Sequence, residues 1–240
     1  MESYSEICLD SRHRAFGTLD APTFFISPSI EAKYMKLKSC MIPVSFYGVD
    51  YYNCGLNFVE GTASGVSIVI PYGNYSAASL GNQIASELTA ASPSGATYSC
   101  SLDADNGILS FTCSKSDFTF LSTSSIWYAL GMTERANASS VSHTLVMPNI
   151  VDVSGPRYVC VRCPNVRSSS FLAGNYSNLL GTVPVTKSVG EILSYVDFSA
   201  DWMELGRENM SEISLSLMDS EGHILSLNNK AFSIVVGLLN

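Results

Sequence analysis

The chain has 240 residues, of which 14% are charged, and its formal net charge is −8. Its Lys and Arg residues are few and scattered, and none lies between Ser39 and Ser114. Nucleic-acid binding depends on clustered Lys and Arg that neutralise phosphates, so the charge pattern argues against a nucleic-acid partner. We find neither a secretory signal nor an apolar run of about 18 residues, so we expect no insertion into a membrane.

The N-terminal residues 1–21 are predicted to form an arm. Tyr4–Leu9 has the pattern of a short strand, but the polar segment Asp10–Arg14 interrupts it. Such a segment is either a frayed terminus or an arm that reaches a neighbouring subunit, and both interpretations stay open. From residue 22 to residue 240 we predict one domain, because all-β folds commonly run to ~200–250 residues without division.

The first part of this domain is predicted to consist of strands. These are Thr23–Ser27, Lys33–Pro43 and Gly55–Glu60. In the second of them, Lys36 and Lys38 alternate with apolar residues, which indicates that one face of the strand is in water.

A single α-helix is predicted at about 76–91. Apolar residues recur every four positions from Leu80 to Leu88 and form one stripe along it. Asn74 or Ser76 can accept a hydrogen bond from a free N–H of the first turn and so cap the helix.

A hairpin and a second, shorter helix follow. The hairpin turns at Asp105-Asn106-Gly107, a sequence that suits positive φ. A short helical turn is predicted at about 125–130, and Gly131 suits its C-terminal cap.

The C-terminal part carries the clearest pattern of an all-β protein. Residues 164–181 form its most irregular stretch, where we expect a long exposed loop. Ile213, Leu215 and Leu217 then alternate with Ser. Residues 232–239 are almost all apolar, which predicts a central strand buried on both faces.

The sequence contains no recognisable catalytic, cofactor or metal motif. Cys160 and Cys163 form a C-x-x-C pair without the further ligands that zinc requires. Residues 103–107 resemble the start of a calcium loop, but the glycine and the acidic residue are misplaced. Glu204 and Glu208 are carboxylates of the kind that glycosidases use, although the sequence does not place them face to face.

Two adjacent pairs of aromatic residues are the candidate contact residues. They are Tyr51 with Tyr52 and Trp127 with Tyr128. In extended structure, one residue of each pair faces outward and becomes available to a neighbouring subunit. The competing interpretation is that all four side chains pack inside the protein.

The middle and the flanks of the chain resemble the penton family. These are the single jelly-roll vertex proteins of polinton-type viruses, virophages and related large DNA viruses. The middle carries the resemblance in IPYGNYSAASLGNQIASEL, YSCSLDADNGILSFTCSKSDFTFLS and IWYALGM. The flanks add MIPVSFYGVDYYNCGLNFVEG and ISLSLMDSEGHILSLNNKAFSIVVGLL. The resemblance covers roughly residues 33–239 and is weakest between residues 164 and 190.

The resemblance implies a fold and an assembly. The fold would be a single jelly-roll β-sandwich of two antiparallel sheets with one inserted α-helix. The protein would be structural and not enzymatic, and five copies would close each fivefold vertex of an icosahedral capsid. Its partners would be the major capsid protein, with a double jelly roll, and other minor capsid proteins. It would be made in the host cytoplasm and reside in the virion.

Two other classes of function remain open at this stage. The first is a receptor- or glycan-binding jelly-roll module, with a trimer as a candidate assembly and a site in the loop at about 164–181. The second is a glycosidase on a β-sandwich, which requires two carboxylates about 5–10 Å apart in a cleft.

Overall fold

A computed structural model describes residues 4–167, 170–172, 175–199 and 201–240, with the backbone alone for residues 170–172 and 175–177. The helices of this part of the chain are α1 (Ala77–Ala91) and the short 3-10 helices Ser11–His13 and Ser125–Trp127. Its strands are β1 (Tyr4–Asp10), β2 (Phe16–Gly17), β3 (Pro22–Glu31), β4 (Tyr34–Pro43), β5 (Gly55–Glu60), β6 (Val66–Val69), β7 (Tyr98–Leu102), β8 (Leu109–Cys113), β9 (Phe118–Phe120), β10 (Ala138–Ser139), β11 (Thr144–Val146), β12 (Tyr158–Arg162), β13 (Ser170–Leu172), β14 (Asn175–Ser177), β15 (Leu179–Pro184), β16 (Ile192–Val196), β17 (Met203–Glu204), β18 (Asn209–Ser214), β19 (Ser216–Met218) and β20 (Ser233–Leu239).

Contacts within the chain divide it into two compact units. Unit 1 consists of residues 1–46 and 156–240, and unit 2 consists of residues 47–155. Each unit encloses a hydrophobic core of its own, and the two are described separately. That residues 22–240 form one domain stays a prediction.

Leaving aside the β13–β14 pair, the strands of unit 1 form two antiparallel sheets when β18 and β19 are taken as one continuous strand. In the first, β1, β20, β4 and β16 lie side by side, and β17 pairs with the far end of β4. In the second, β18 pairs with β3 while β19 pairs with β12, which also pairs with β15. Only Leu215 separates β18 from β19, so these two strands act as one that joins β3 to β12.

The order of these strands is that of a jelly roll. Leaving aside the short β2, β13, β14 and β17, successive strands of unit 1 change sheet at every step except from β12 to β15, which pair with each other. Numbered in sequence, they lie in the order 1-8-3-6 in the first sheet and 2-7-4-5 in the second. This is the double-sheet, Greek-key arrangement of jelly-roll folds. The predicted all-β fold is therefore confirmed.

Side chains from both sheets form one core in unit 1. Leu37 and Val236 from the first sheet and Val161, Ile213 and Leu217 from the second are almost completely buried in it. Alternate residues of each strand point into this core because successive side chains of a strand face opposite sides.

The N-terminal segment lies in the main sheet of unit 1. Residues 1–21 were expected to form an arm, but β1 pairs with β20 over its whole length, from Tyr4 with Leu239 to Asp10 with Ser233. Leu9 is buried in the core, which holds the strand against the sheet.

The C-terminal strand is central, as predicted. β20 lies between β1 and β4. Its burial is uneven, however: Ile234, Val236, Gly237 and Leu238 are buried, whereas Val235 and Leu239 are half-buried. The prediction of burial on both faces was therefore wrong for part of the strand.

Unit 2 contains the predicted helix. Its sheets have the orders β10-β9-β5-β6 and β11-β8-β7. Ser76 caps α1 by accepting a hydrogen bond from the N–H of Ser79, whose hydroxyl accepts one from the N–H of Ser76. The apolar stripe of Leu80, Ile84 and Leu88 is completely buried in the core of this unit.

Turn predictions in unit 2 are confirmed at two glycines. Gly107 has φ +70° at the hairpin between β7 and β8. Gly131 has φ +75° just after the helical turn that begins at Ser125. A Cβ at Gly131 would collide with the carbonyl of Asn149, so both the backbone conformation and the space require glycine.

The stretch expected as an irregular loop is partly ordered into strands. β13 and β14 pair as an antiparallel hairpin, and Val166 and Leu180 at its two ends are buried in unit 1. Residues 168–169 and 173–174, and the side chains of residues 168–177, lie outside the described part of the chain. The exposure of this stretch therefore stays a prediction.

Candidate functional site

The tyrosine pair predicted as a contact lies on the surface of unit 2. Tyr51 is 74% exposed and Tyr52 43% exposed. Their rings meet edge to face, with centroids 5.4 Å apart. A turn holds them: the Asp50 carboxylate accepts a hydrogen bond of 2.9 Å from the N–H of Tyr52. Both rings face outward because they lie in a turn, whereas extended structure would have exposed only one.

The tryptophan–tyrosine pair lies at the C-terminal end of the short 3-10 helix of the same unit. Tyr128 is 56% exposed, and Trp127 is half-buried against the core. Their ring centroids are 5.7 Å apart, again edge to face. This pair therefore combines one anchored ring with one accessible ring.

Hydrogen bonds bring the two pairs to the same end of β5. The N–H of Gly55 donates to the hydroxyl of Ser125 at 2.9 Å. Tyr52 lies three residues before Gly55 and Tyr128 three residues after Ser125, so each is within ~11 Å of chain path from this bond. Three accessible rings therefore share one region of unit 2, a proximity that sequence spacing alone could not reveal.

A further aromatic pair, which the sequence analysis did not single out, lies on unit 1. Phe16 and Phe25 are both about 60% exposed, and their rings meet edge to face at 5.1 Å. Phe25 follows the buried Phe24 in β3. Adjacent residues of a strand face opposite sides, so the Phe-Phe dipeptide was a signal for one exposed ring.

Glu60 is a buried carboxylate at the end of β5 in unit 2. It is 3% exposed and accepts hydrogen bonds from the hydroxyls of Ser92 (2.7 Å), Ser94 and Tyr98 (3.0 Å). Burial by itself raises the pKa of Glu60, but the three hydroxyl donors outweigh it and the pKa is lowered. The carboxylate therefore ties β5 to β7 and to the end of α1, and we assign it a structural role.

The two cysteines of the C-x-x-C pair are separate, free thiols. Cys160 and Cys163 are both buried in unit 1 and form no disulfide. Burial raises the pKa of Cys160, and it raises the pKa of Cys163 to about 11. Such thiols are protonated at neutral pH, which makes them poor ligands and poor nucleophiles.

The acidic turn at residues 103–107 is a hairpin turn. The Asp103 carboxylate accepts hydrogen bonds from the N–H of Asp105 at 2.9 Å and from the side-chain amide of Asn106 at 2.6 Å. Among the described residues, no three His, Cys, Asp or Glu side chains lie close enough together to hold a metal ion.

The candidate glycosidase carboxylates line a small pocket. Glu204 and Glu208 share it with Lys33, Arg167 and Arg207, and its volume is about 120 Å³. Ligand pockets usually measure ~300–1,000 Å³. The Glu204 carboxylate is also paired with Arg167 at 2.8 Å. The pocket is therefore smaller than a typical ligand site.

The described residues include no helix with the length and apolar character needed to cross a bilayer.

Comparison with known proteins identifies the fold. No protein-family model matches the sequence, and no curated protein is similar to it. Among solved structures, the chain is similar to the mavirus penton protein, with a TM-score of 0.50 and 9% identity over 99% of each chain. The chain has a penton-protein fold. A chain in the cryo-EM structure of the Sputnik virophage also matches, with a TM-score of 0.47 and 9% identity over 99% of this chain and 97% of that one. The fold implied by the sequence resemblance is thus confirmed.

Proposed function

We propose that this protein is a structural capsid protein, a penton that forms homopentamers at the fivefold vertices of an icosahedral capsid. The observation that carries the proposal is the fold shared with the mavirus penton protein over 99% of both chains. The likeness includes unit 2, because a match to the jelly roll of unit 1 alone could not extend over the whole length. The role is structural and not enzymatic.

A pentamer requires a heterologous interface. Each copy presents one surface to the next copy and a different surface to the previous one, so that the ring closes after five. Aromatic side chains are enriched at such contacts because they bury large apolar areas at low entropic cost. We propose the region of Tyr51, Tyr52, Trp127 and Tyr128 as one side of this interface.

The second proposed partner is the major capsid protein. A protein at a vertex is surrounded by the capsid shell, so it has to contact the protein that forms the shell. Other minor capsid proteins are further candidate partners. The protein is accordingly proposed to reside in the virion after synthesis in the host cytoplasm.

Light scattering of the purified protein over a concentration series tests the proposal. Each chain weighs 25.8 kDa, so a pentamer has a mass of about 129 kDa. A stable species of that mass supports the vertex role. A trimer contradicts it and favours the receptor- or glycan-binding module.

If the protein is a monomer at every concentration, a second measurement decides. Cryo-EM reconstruction of purified virus particles then shows where the protein lies. Density for this fold at the fivefold vertices supports the proposal, and its absence there overturns it.

A further inference from the structure

The outermost strand of the first sheet of unit 1 has an open edge. β16 pairs with β4 on one side. Val44 donates a hydrogen bond to the carbonyl of Glu191, and Asp197 donates one to the carbonyl of Lys38. These bonds show that the backbone N–H and C=O groups of the odd-numbered residues of β16 point toward β4. The N–H and C=O groups of Ile192, Ser194 and Val196 consequently point to the other side.

No partner covers this edge within the described part of the chain. Neither the sheet pairings nor the other backbone hydrogen bonds there include an N–H or C=O of Ile192, Ser194 or Val196 on the side away from β4. An exposed row of unpaired backbone groups is a template for the addition of another strand.

The side chains beside this edge are apolar and exposed. Ile192 is 61% exposed and Val196 is 48% exposed. Met41, which lies opposite Ser194 on β4, is 57% exposed on the same face. An added strand would cover this row if its own outward-facing residues were also apolar, because cross-strand neighbours on one face pack together.

Charge at the two ends of β16 restricts which strand can be added. Glu191 precedes the strand and Asp197 follows it. A partner with Lys or Arg opposite both would gain two ion pairs, whereas a partner with acidic residues there would be repelled.

Pairing between two copies of this chain through β16 is disfavoured for the same reason. The antiparallel register that uses all three open residues of both copies places Ser194 opposite itself. In this register, Glu191 of each copy lies opposite Asp197 of the other copy. Two pairs of like charges therefore face each other and repel. In addition, no two Lys or Arg residues in this chain are six positions apart, so it contains no segment with basic residues opposite both acids.

We propose that β16 accepts an extended segment of a different protein, which adds to the sheet as an antiparallel strand. That segment has apolar residues at alternate positions and a basic residue at each end, opposite Glu191 and Asp197. This inference rests on the open edge and its charges, and it holds whether or not the protein forms pentamers.

Binding of designed peptides to the full-length protein tests the proposal. The probe is the labelled peptide Lys-Val-Thr-Val-Thr-Val-Lys, measured by fluorescence anisotropy. Its matched control has Glu in place of both Lys. We expect the Lys peptide to bind about tenfold more tightly at low salt, and the difference to shrink as salt screens the charges. Equal binding of the two peptides, or no binding of either, overturns the proposal.

Backbone methylation separates strand addition from simple charge attraction. In the proposed register, the N–H groups of the second, fourth and sixth peptide residues face β16, and those of the third and fifth face away. N-methylation of the fourth residue should weaken binding at least tenfold, whereas N-methylation of the third should leave it nearly unchanged. An equal effect at both positions contradicts the strand-addition geometry.

Variants of the protein complete the test. Ser194→Pro removes an outward N–H without breaking a bond to β4, and it should abolish peptide binding. Its control, Ser194→Thr, should bind normally. The double variant Glu191→Lys with Asp197→Lys should prefer the Glu peptide, which a fold defect could not cause. If the double variant keeps the preference for the Lys peptide, the proposed register is wrong.

The same variants separate this edge from the proposed pentamer interface. Ser194→Pro should leave the mass of the protein in solution unchanged. If Ser194→Pro instead dissociates an assembly of identical chains, the edge is an interface between copies and the proposal of a different partner is overturned.

Discussion

Glu60 shows how one buried residue makes stability depend on pH. Its pKa is lower in the folded protein than in an unfolded chain, where a glutamate titrates near ~4.3. The ionised carboxylate therefore stabilises unit 2 at pH values above the unfolded pKa. This contribution is lost as the pH falls through the unfolded pKa and then the folded pKa.

We predict that Glu60→Gln destabilises unit 2 by about 1–3 kcal/mol at pH 7, because hydrogen bonds to a charged group are replaced by weaker ones. The free energy of unfolding of the wild type should fall more steeply between pH 7 and pH 3 than that of the variant. Urea unfolding at several pH values measures both. Glu134→Gln, at an exposed site, is the control, and an effect of the same size there would contradict the assignment.

The accessible aromatic rings lead to a second prediction at the scale of single residues. If they form part of the proposed pentamer interface, Tyr51→Ser and Tyr128→Ser should each raise the dissociation constant of the assembly about tenfold or more, as truncation of a central aromatic contact does. Light scattering on dilution measures this shift.

The matched control for these variants is Tyr158→Ser. Tyr158 is also about half exposed, but it lies on unit 1. If the pentamers of both unit 2 variants resist dilution as well as the wild type does, these rings do not belong to the interface. Circular dichroism should show that all three variants remain folded.

At the scale of secondary-structure elements, β20 is the central strand of the first sheet of unit 1. It joins β1 to β4 and buries Ile234, Val236 and Leu238. Each buried aliphatic side chain contributes about 1.5–3 kcal/mol, and a whole domain is stable by only ~5–15 kcal/mol.

We predict that deletion of residues 232–240 unfolds unit 1. Deletion of Asn240 alone, which lies beyond the strand, should have no measurable effect. Hydrogen exchange followed by mass spectrometry checks this, because amides of β4 and β12 should lose protection in the long deletion only. Protected amides in β4 after the long deletion would show that the sheet forms without β20.

At the scale of the whole molecule, unit 2 has the features of an independently folding part. It is a continuous segment, it contains α1 and two sheets, and it encloses a core with Phe58, Phe111 and Phe120 completely buried. About 110 residues are enough for a stable core.

We predict that residues 47–155, produced alone, fold and unfold cooperatively. Thermal unfolding monitored by circular dichroism and a dispersed amide NMR spectrum measure this. In the same fragment, Phe111→Ala should cost about 3–5 kcal/mol because it leaves a cavity. A poorly dispersed amide spectrum of the unmodified fragment would show that unit 2 needs unit 1 in order to fold.

Much of the local structure could be predicted from the sequence. The helix at residues 76–91, its Ser76 cap and the turn at Gly107 each depend on residues within a few positions of one another. Side-chain spacing, capping and positive φ all depend on residues within that range. A short sequence pattern is therefore enough to predict these elements. The sequence resemblance to pentons also consists of such local patterns, and the identity to the mavirus protein is only 9%.

Only the tertiary structure shows which distant segments pair with one another. The pairing of β1 with β20 joins residues from the two ends of the chain, and no local pattern specifies such a partner. The same holds for the surfaces proposed for binding. The open edge of β16 exists because β4 covers one side of it and no described residue covers the other, and the segments that carry the aromatic pairs are joined because Gly55 bonds to Ser125. Strand partners are selected by competition over the whole chain, so local periodicity determines which segments form strands and long-range packing decides which edges stay open.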